Sequence, residues 1–211
     1  MGVLETVKAK VGFKVASGAK YLDNGRSAEE HNKAGLVLMD QGLFKEAIVE
    51  FDQAVRRRSD YAEAHHNMGM AYDLLTRYPQ AIRCYEQAIR VKPDYAEAYK
   101  DLGVTYSKLG NGVDAIIACM RAIKLKPNYL EALHNLGIAY YNLGNYSEAI
   151  RANNKVLHLD EHHVQSHYLL GLIHIDMGNK PEAVQEQRKL EELDRSTAVE
   201  LEYKIHRNFG W

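Results

Sequence analysis

The side chains best equipped for chemistry are the ten histidines, densest in EHHVQSH, residues 161–167. His163 and His167 stand four apart, the spacing that sets two imidazoles on one face of a helix, as in zinc sites. Together with His162 and Glu161 they raise the reading of a metal-dependent enzyme. The competing reading is packing. Counted in the internal period described below, the places of His163 and His167 hold Tyr95 and Tyr99 elsewhere, so bulky rings belong there anyway. His31 and His65 recur at the place of His167, with no second histidine at ligand spacing. Cys84 and Cys119 fall on adjacent repeats and read as small buried hydrophobes of a reducing compartment. The sequence holds no HExxH, no glycine-rich phosphate loop and no nucleophile elbow. The expectation is therefore a chain that is not an enzyme, with no catalytic residue, cofactor or metal ligand assigned.

These residues are carried by a chain that repeats itself. Residues 92–110, KPDYAEAYKDLGVTYSKLG, meet KPNYLEALHNLGIAYYNLG at 126–144 and RSDYAEAHHNMGMAYDLLT at 58–76, a period of 34. With Ala62, Ala96 and Leu130 as first positions, position 8 holds Gly69, Gly103 and Gly137, and position 20 holds Ala81, Ala115 and Ala149. Position 11 holds Tyr72, Tyr106 and Tyr140, and position 24 holds Phe51 and Tyr85. Gly35 and Ala47 continue the register from Ala28, and Gly171 and Ala183 from Val164. Small residues where backbones approach, with an aromatic filling the adjoining gap, are what a close helical hairpin needs. Helix–turn–helix signals at this period resemble the tetratricopeptide repeat (TPR) family. The resemblance implies an all-α, right-handed superhelical solenoid. Five repeats are expected at 28–61, 62–95, 96–129, 130–163 and 164–197, between an N-terminal segment 1–27 and a C-terminal capping helix and aromatic tail at 198–211.

The helix breakers keep the same phase. All four prolines fall at two repeat positions. Pro79 and Pro181 suit the first turn of a second helix, and Pro93 and Pro127 lie just past its end. Gly42, Gly110, Gly144 and Gly178 stand in the turn between paired helices. Asp60-x-x-Glu63, Asp94-x-x-Glu97 and Asn128-x-x-Glu131 read as N-caps with capping-box carboxylates. The pattern thins toward the end, with Asn153 and Gln187 at position 24, as a soluble terminus of an array would require.

The net charge of −1 sets up no global field toward nucleic acid, so no nucleic-acid partner is expected. No apolar run is long enough to span a bilayer. The lysine-bearing N-terminus has no apolar stretch of a secretory signal, which places the chain in the cytoplasm. On a helix, Val3, Leu4, Val7, Val11, Val15 and Leu22 form one stripe, with Lys8, Lys10 and Lys14 at its flanks. That segment reads as a cap on the first repeat. The alternative is a contact with a membrane surface through residues 1–20 or with another protomer of a homo-oligomer.

In the TPR family the first helix of each pair lines a concave groove, so the resemblance implies a scaffold that binds a partner protein's peptide or helix there. Carried onto this sequence, the lining is His66, Asn67, Met70 and Asp73, then Lys100, Asp101, Val104 and Ser107. His134, Asn135, Ile138 and Tyr141 follow, then Tyr168, Leu172 and Ile175, a run that turns apolar toward the end. The chaperone-tail clamp of some TPR proteins is absent, because Lys100 is followed by Val104 where asparagine is needed. Asn67 and Asn135 resemble members of the asparagine ladder of O-GlcNAc transferase-type arrays, which grips peptide backbone. Lys33, Asp101 and Leu169 interrupt that ladder. The layout is also similar to that of magnetosome-associated TPR proteins, implying a self-assembling scaffold on a surface. A regulatory subunit of a separate enzyme is a further alternative.

Overall fold

The computed structural model describes residues 25–210, so the amphipathic stripe expected over 1–24 lies outside the described residues. Among the described residues there are eleven helices and no strand. Five hairpins follow one another. They are α1 (Ala28–Asp40) with α2 (Phe44–Arg57), α3 (Ala62–Leu74) with α4 (Tyr78–Val91), and α5 (Ala96–Lys108) with α6 (Gly112–Leu125). Then come α7 (Leu130–Asn142) with α8 (Tyr146–Leu159), and α9 (Val164–Asp176) with α10 (Lys180–Leu193). A single helix, α11 (Arg195–Phe209), closes the array; it starts three residues before position 198 because Asp194 caps it by accepting from the Ser196 and Thr197 amides. Consecutive odd-numbered helices touch one another, whereas consecutive even-numbered helices do not. The odd helices therefore line the tighter inner face, and the even helices splay along the outer one.

Each hairpin closes on a glycine at position 8. A Cβ built on Gly35 would lie 2.4 Å from the Phe51 ring, and one on Gly69 2.6 Å from Tyr85. On Gly103 it would lie 2.6 Å from Cys119 Sγ, and on Gly137 2.2 Å from Asn153 Nδ2. Position 24 of the same repeat thus fills each notch. The expected thinning at Asn153 has a different cause, because this amide is fully buried against Gly137 and donates to the Ala149 carbonyl at 2.9 Å. The fifth hairpin departs from the scheme. Its Gln187 is buried to one side, and the Gly171 notch is filled by Leu201 of α11, 2.4 Å from an added Cβ. With Ile205, Ala198 and Leu190, Leu201 builds the last core cluster, so α11 replaces an interaction that the other repeats make internally.

Two turn features differ from expectation. The glycines at 42, 110, 144 and 178 have φ of 72–79°, but the equivalent residue of the second repeat is Thr76, at φ 57°. A β-branched side chain in the left-handed region costs about 1–2 kcal/mol. The proposed caps Asp60, Asp94 and Asn128 are not N-caps. The capping positions are Tyr61, Tyr95 and Tyr129, none of which caps through its side chain. A cation three residues earlier packs on each of these rings. Arg58 lies 3.7 Å over Tyr61, Lys92 4.7 Å over Tyr95 and Lys126 4.2 Å over Tyr129. Among the described residues the one capping box is Ser27 with Glu30, at the start of α1.

Gly103→Leu is expected to cost about 3 kcal/mol by overpacking against Cys119, read by denaturant unfolding; a melt like wild type would mean the notch can open. Thr76→Gly should act in the opposite sense and raise stability by about 1 kcal/mol, since it removes left-handed strain.

Candidate peptide-binding groove

The inner face is seamed by polar contacts between consecutive odd helices. Asn67 Nδ2 donates to Asn32 Oδ1 at 2.9 Å, and His66 Nε2 meets Asp101 Oδ2 at 2.7 Å. Asp73 accepts from Thr105 Oγ1 at 3.0 Å and pairs with Lys108. Tyr141 donates its hydroxyl to Asp176 Oδ2 at 2.7 Å, and Tyr168 donates to Glu200 on α11. Four of these contacts join residues 35 apart. That separation is one period plus one residue, so position 5 meets position 6 of the next repeat, and position 12 meets position 13.

The seam changes what the expected lining residues do. His66 is buried, packed at a tilt between Tyr85 and Tyr95 with ring centroids 5.6 and 5.0 Å away. Asn67 is spent on Asn32, so its amide is not the free rung that the ladder resemblance implies. Asp73, Asp101 and Lys100 are held in ion pairs. Ile175 is a correction: it is buried in the last core cluster, with Tyr168 and Leu172 packed against it, because α11 closes over this end. The apolar drift toward the last repeat is therefore largely the seat of the closing helix. Ile138 and Tyr141 pack half-buried against the neighbouring cluster, and Met70 against an earlier one. What remains half-exposed along the middle of the inner face is Asn67, Met70, Val104, Ser107, Asn135 and Ile138. These side chains are mixed in polarity and flanked by fixed charges.

Burial and partners set the electrostatics. Burial pushes the Asp101 carboxyl up, but hydrogen bonds from His66 and Lys100 and the Lys100 charge outweigh it and leave the group below its ordinary 3.8. Burial, then the Asp176 contact, raises the Tyr141 phenol, and burial with Glu200 does the same for Tyr168. Both stay protonated donors. Burial drives Cys84 and Cys119 up to about 12, so neither supplies a thiolate. His134 is lowered from 6.5, chiefly by burial. Its Nδ1 meets Asn153 Oδ1 at 3.1 Å, and its ring packs 5.2 Å from His163.

The histidine segment is occupied by structure. His163 caps α9, accepting the Ser166 amide at 3.2 Å. His167 is buried, with Nδ1 2.6 Å from Glu186 and Nε2 donating to the Glu161 carbonyl at 2.9 Å. His31 does have a partner after all: Glu50 lies 2.7 Å from Nδ1 and is also gripped by Arg26 at 2.8 Å. Both pairs join residues 19 apart, positions 4 and 23. Sequence reasoning missed Glu50 and Glu186, although the matching His–Glu columns in the first and last repeats were visible. Among the described residues no group of three histidine, cysteine or acidic side chains gathers to hold a metal.

Comparison with known proteins places the chain by sequence and by fold. Residues 35–75 and 76–110 match the TPR repeat family, and residues 110–189 match the family described as anaphase-promoting complex, cyclosome, subunit 3. Among solved structures, MamA (41-end) from Desulfovibrio magneticus RS-1 superposes with a TM-score of 0.75 at 22% identity, covering 80% of this chain and 96% of that one. A second MamA structure gives 0.69 at 25%, covering 82% and 96%. YrrB, described as a TPR protein with an unusual peptide-binding site, gives 0.70 at 23%, covering 86% and 94%. No curated protein matches in sequence. The chain is a TPR-repeat solenoid, with a layout like that of MamA.

His134 gives the array an acid sensitivity of definite sign. A histidine whose folded pKa lies below its unfolded value contributes stability that is intact above the unfolded 6.5 and lost as pH falls below it through the lower folded pKa. Thermal melts at pH 7.5 and 5.0 should show a smaller loss for His134→Gln than for wild type.

Proposed function

We propose that this TPR solenoid is a non-enzymatic scaffold whose inner face binds a peptide or helix of a partner protein. The supporting observation is the division of labour on that face. Inter-repeat bonds fix one set of residues, which holds the odd helices in register. A second set, Met70, Val104, Ser107, Asn135 and Ile138, stays half-exposed between them. A rigid, concave strip of mixed amide, hydroxyl and apolar groups suits an extended or helical segment, whose backbone needs donors and acceptors and whose side chains need apolar recesses. The likeness to YrrB, with its peptide-binding site, supports the same reading.

A second reading, a self-assembling scaffold, is favoured by the MamA-like layout. It is compatible with the first, because assembly through another face leaves the groove open. No helix among the described residues is long and apolar enough to cross a membrane.

The groove reading is tested by capture from native lysate. Ser107→Arg with Asn135→Arg places two long cations in the strip without touching a notch or a seam bond. Partner capture should fall at least tenfold with the circular dichroism spectrum and melting temperature preserved. Undiminished capture by this folded variant would refute the groove.

A further inference from the structure

The repeat supplies its own control for the outer face. Positions 22 and 25 of the second helix are polar and exposed in three other repeats: Arg83 and Glu86 on α4, Arg151 and Asn154 on α8, and Gln185 and Arg188 on α10; on α2 they are Val49 and Asp52, both half-buried. On α6 the same two positions are Ile117 and Met120, 54% and 53% exposed, and Val113 one turn earlier is 64% exposed. Three apolar side chains at i, i+4 and i+7 make one stripe. Leu143, packed over Gly112, lengthens the stripe at one end. At the other, Met120 opens into a cleft of about 500 Å³ floored by Leu136 and Tyr140. Three of the other four repeats carry polar side chains at both positions in the same hairpin geometry, and the one apolar counterpart, Val49, is half-buried, so packing within the array does not require an exposed stripe on α6. An exposed, contiguous apolar strip of this kind marks a contact.

We infer that the α6 stripe is a two-fold contact between two copies of this chain, packed antiparallel about Ile117. Charge selects this occupant. Asp114 stands at the N-terminal end of the stripe, and Arg121 and Lys124 at its C-terminal end, all exposed. An antiparallel second copy brings Asp114 of each chain level with Arg121 of the other and opposes the two helix dipoles. A parallel copy would set like charge against like. The basic end of the stripe, Arg121 and Lys124, with Lys155 on the rim of the cleft, disfavours the lysine-bearing N-terminal segment as occupant, although Arg151 on the same rim is paired with Glu148. A self-complementary patch of this sort generates a closed two-fold dimer and no further growth. The contact is short, so association depends on concentration. It lies on the outer face and leaves the proposed groove untouched, so either reading can fail without the other.

Sedimentation of the full chain is the test. Wild type should show a concentration-dependent dimer, and Ile117→Glu should be monomeric with an unchanged melting temperature. Asp114→Lys should weaken the dimer at least tenfold, and Asp114→Lys with Arg121→Asp should restore it, because the swap rebuilds both cross-pairs. A wild-type chain monomeric up to about 1 mM, or a dimer indifferent to Ile117→Glu, overturns the proposal. Failure of the double swap to rescue overturns the antiparallel register. A monomer that Ile117→Glu destabilises would assign the stripe to residues 1–24 of the same copy and overturn the dimer.

Discussion

The closest approach in this molecule, on which its shape depends, is the one inside each hairpin, where a position-8 glycine lets a side chain from the facing helix lie against bare backbone. With a Cβ at Gly35, Gly69 or Gly137 the nearest heavy atom would be 2.2–2.6 Å away, which no packed interior tolerates. The occupant varies among a phenyl ring, a phenol, a thiol and an amide, but the notch does not. This explains how repeats of such different composition stack with the same geometry. It also explains why the last repeat, having lost its own occupant, needs α11: Leu201 enters the Gly171 notch from outside. The closing helix is an integral part of the fifth hairpin.

Between hairpins the binding forces change character. Alanines at positions 3 and 10, such as Ala64, Ala71, Ala98 and Ala132, are fully buried and bring neighbouring helices close. On the inner edge, contacts between residues 35 apart tie one helix to the next. A single hydrogen bond adds only about 0.5–1.5 kcal/mol. Repeated along the seam, such bonds fix register in a structure whose stability is a sum of nearest-neighbour terms. The same bonds subtract His66, Asp73 and Asp101 from the surface offered to a ligand. In the first and last repeats a further device appears, the buried His31–Glu50 and His167–Glu186 pairs with Arg26 and Lys189 beside them. Stripping one partner from such a pair costs about 3–5 kcal/mol, although the intact pair adds little net stability. The two pairs occupy positions 4 and 23 of the first and fifth hairpins.

Much of this was legible in the residues alone. The period, the notch glycines and the phase of Pro79, Pro181, Pro93 and Pro127 are local signals, and they locate helices because backbone chemistry acts over a few residues. The inner-face lining was legible only as a set of positions. Whether Asn67 is a free amide or bonded to Asn32, and whether Ile175 lines a groove or lies beneath α11, depends on which residue stands opposite it a repeat away. The capping boxes at Asp60, Asp94 and Asn128 failed for a more local reason: each helix starts one residue later, so a tyrosine holds the cap position, its ring packed under the cation three residues before it.

The sequence by itself determined the all-helical repeat, its register and the face that each position takes, since a period of 34 with fixed glycines admits one hairpin geometry. Only the tertiary structure decided which polar side chains are spent in the seam, which buried histidines pair with glutamates 19 residues on, and that the α6 stripe stands uncovered by the array. The physical reason is range. Propensity and periodicity act within a helix, whereas a hydrogen bond or a buried pair needs two groups brought within about 3 Å, and that distance is set by how one repeat turns against the next.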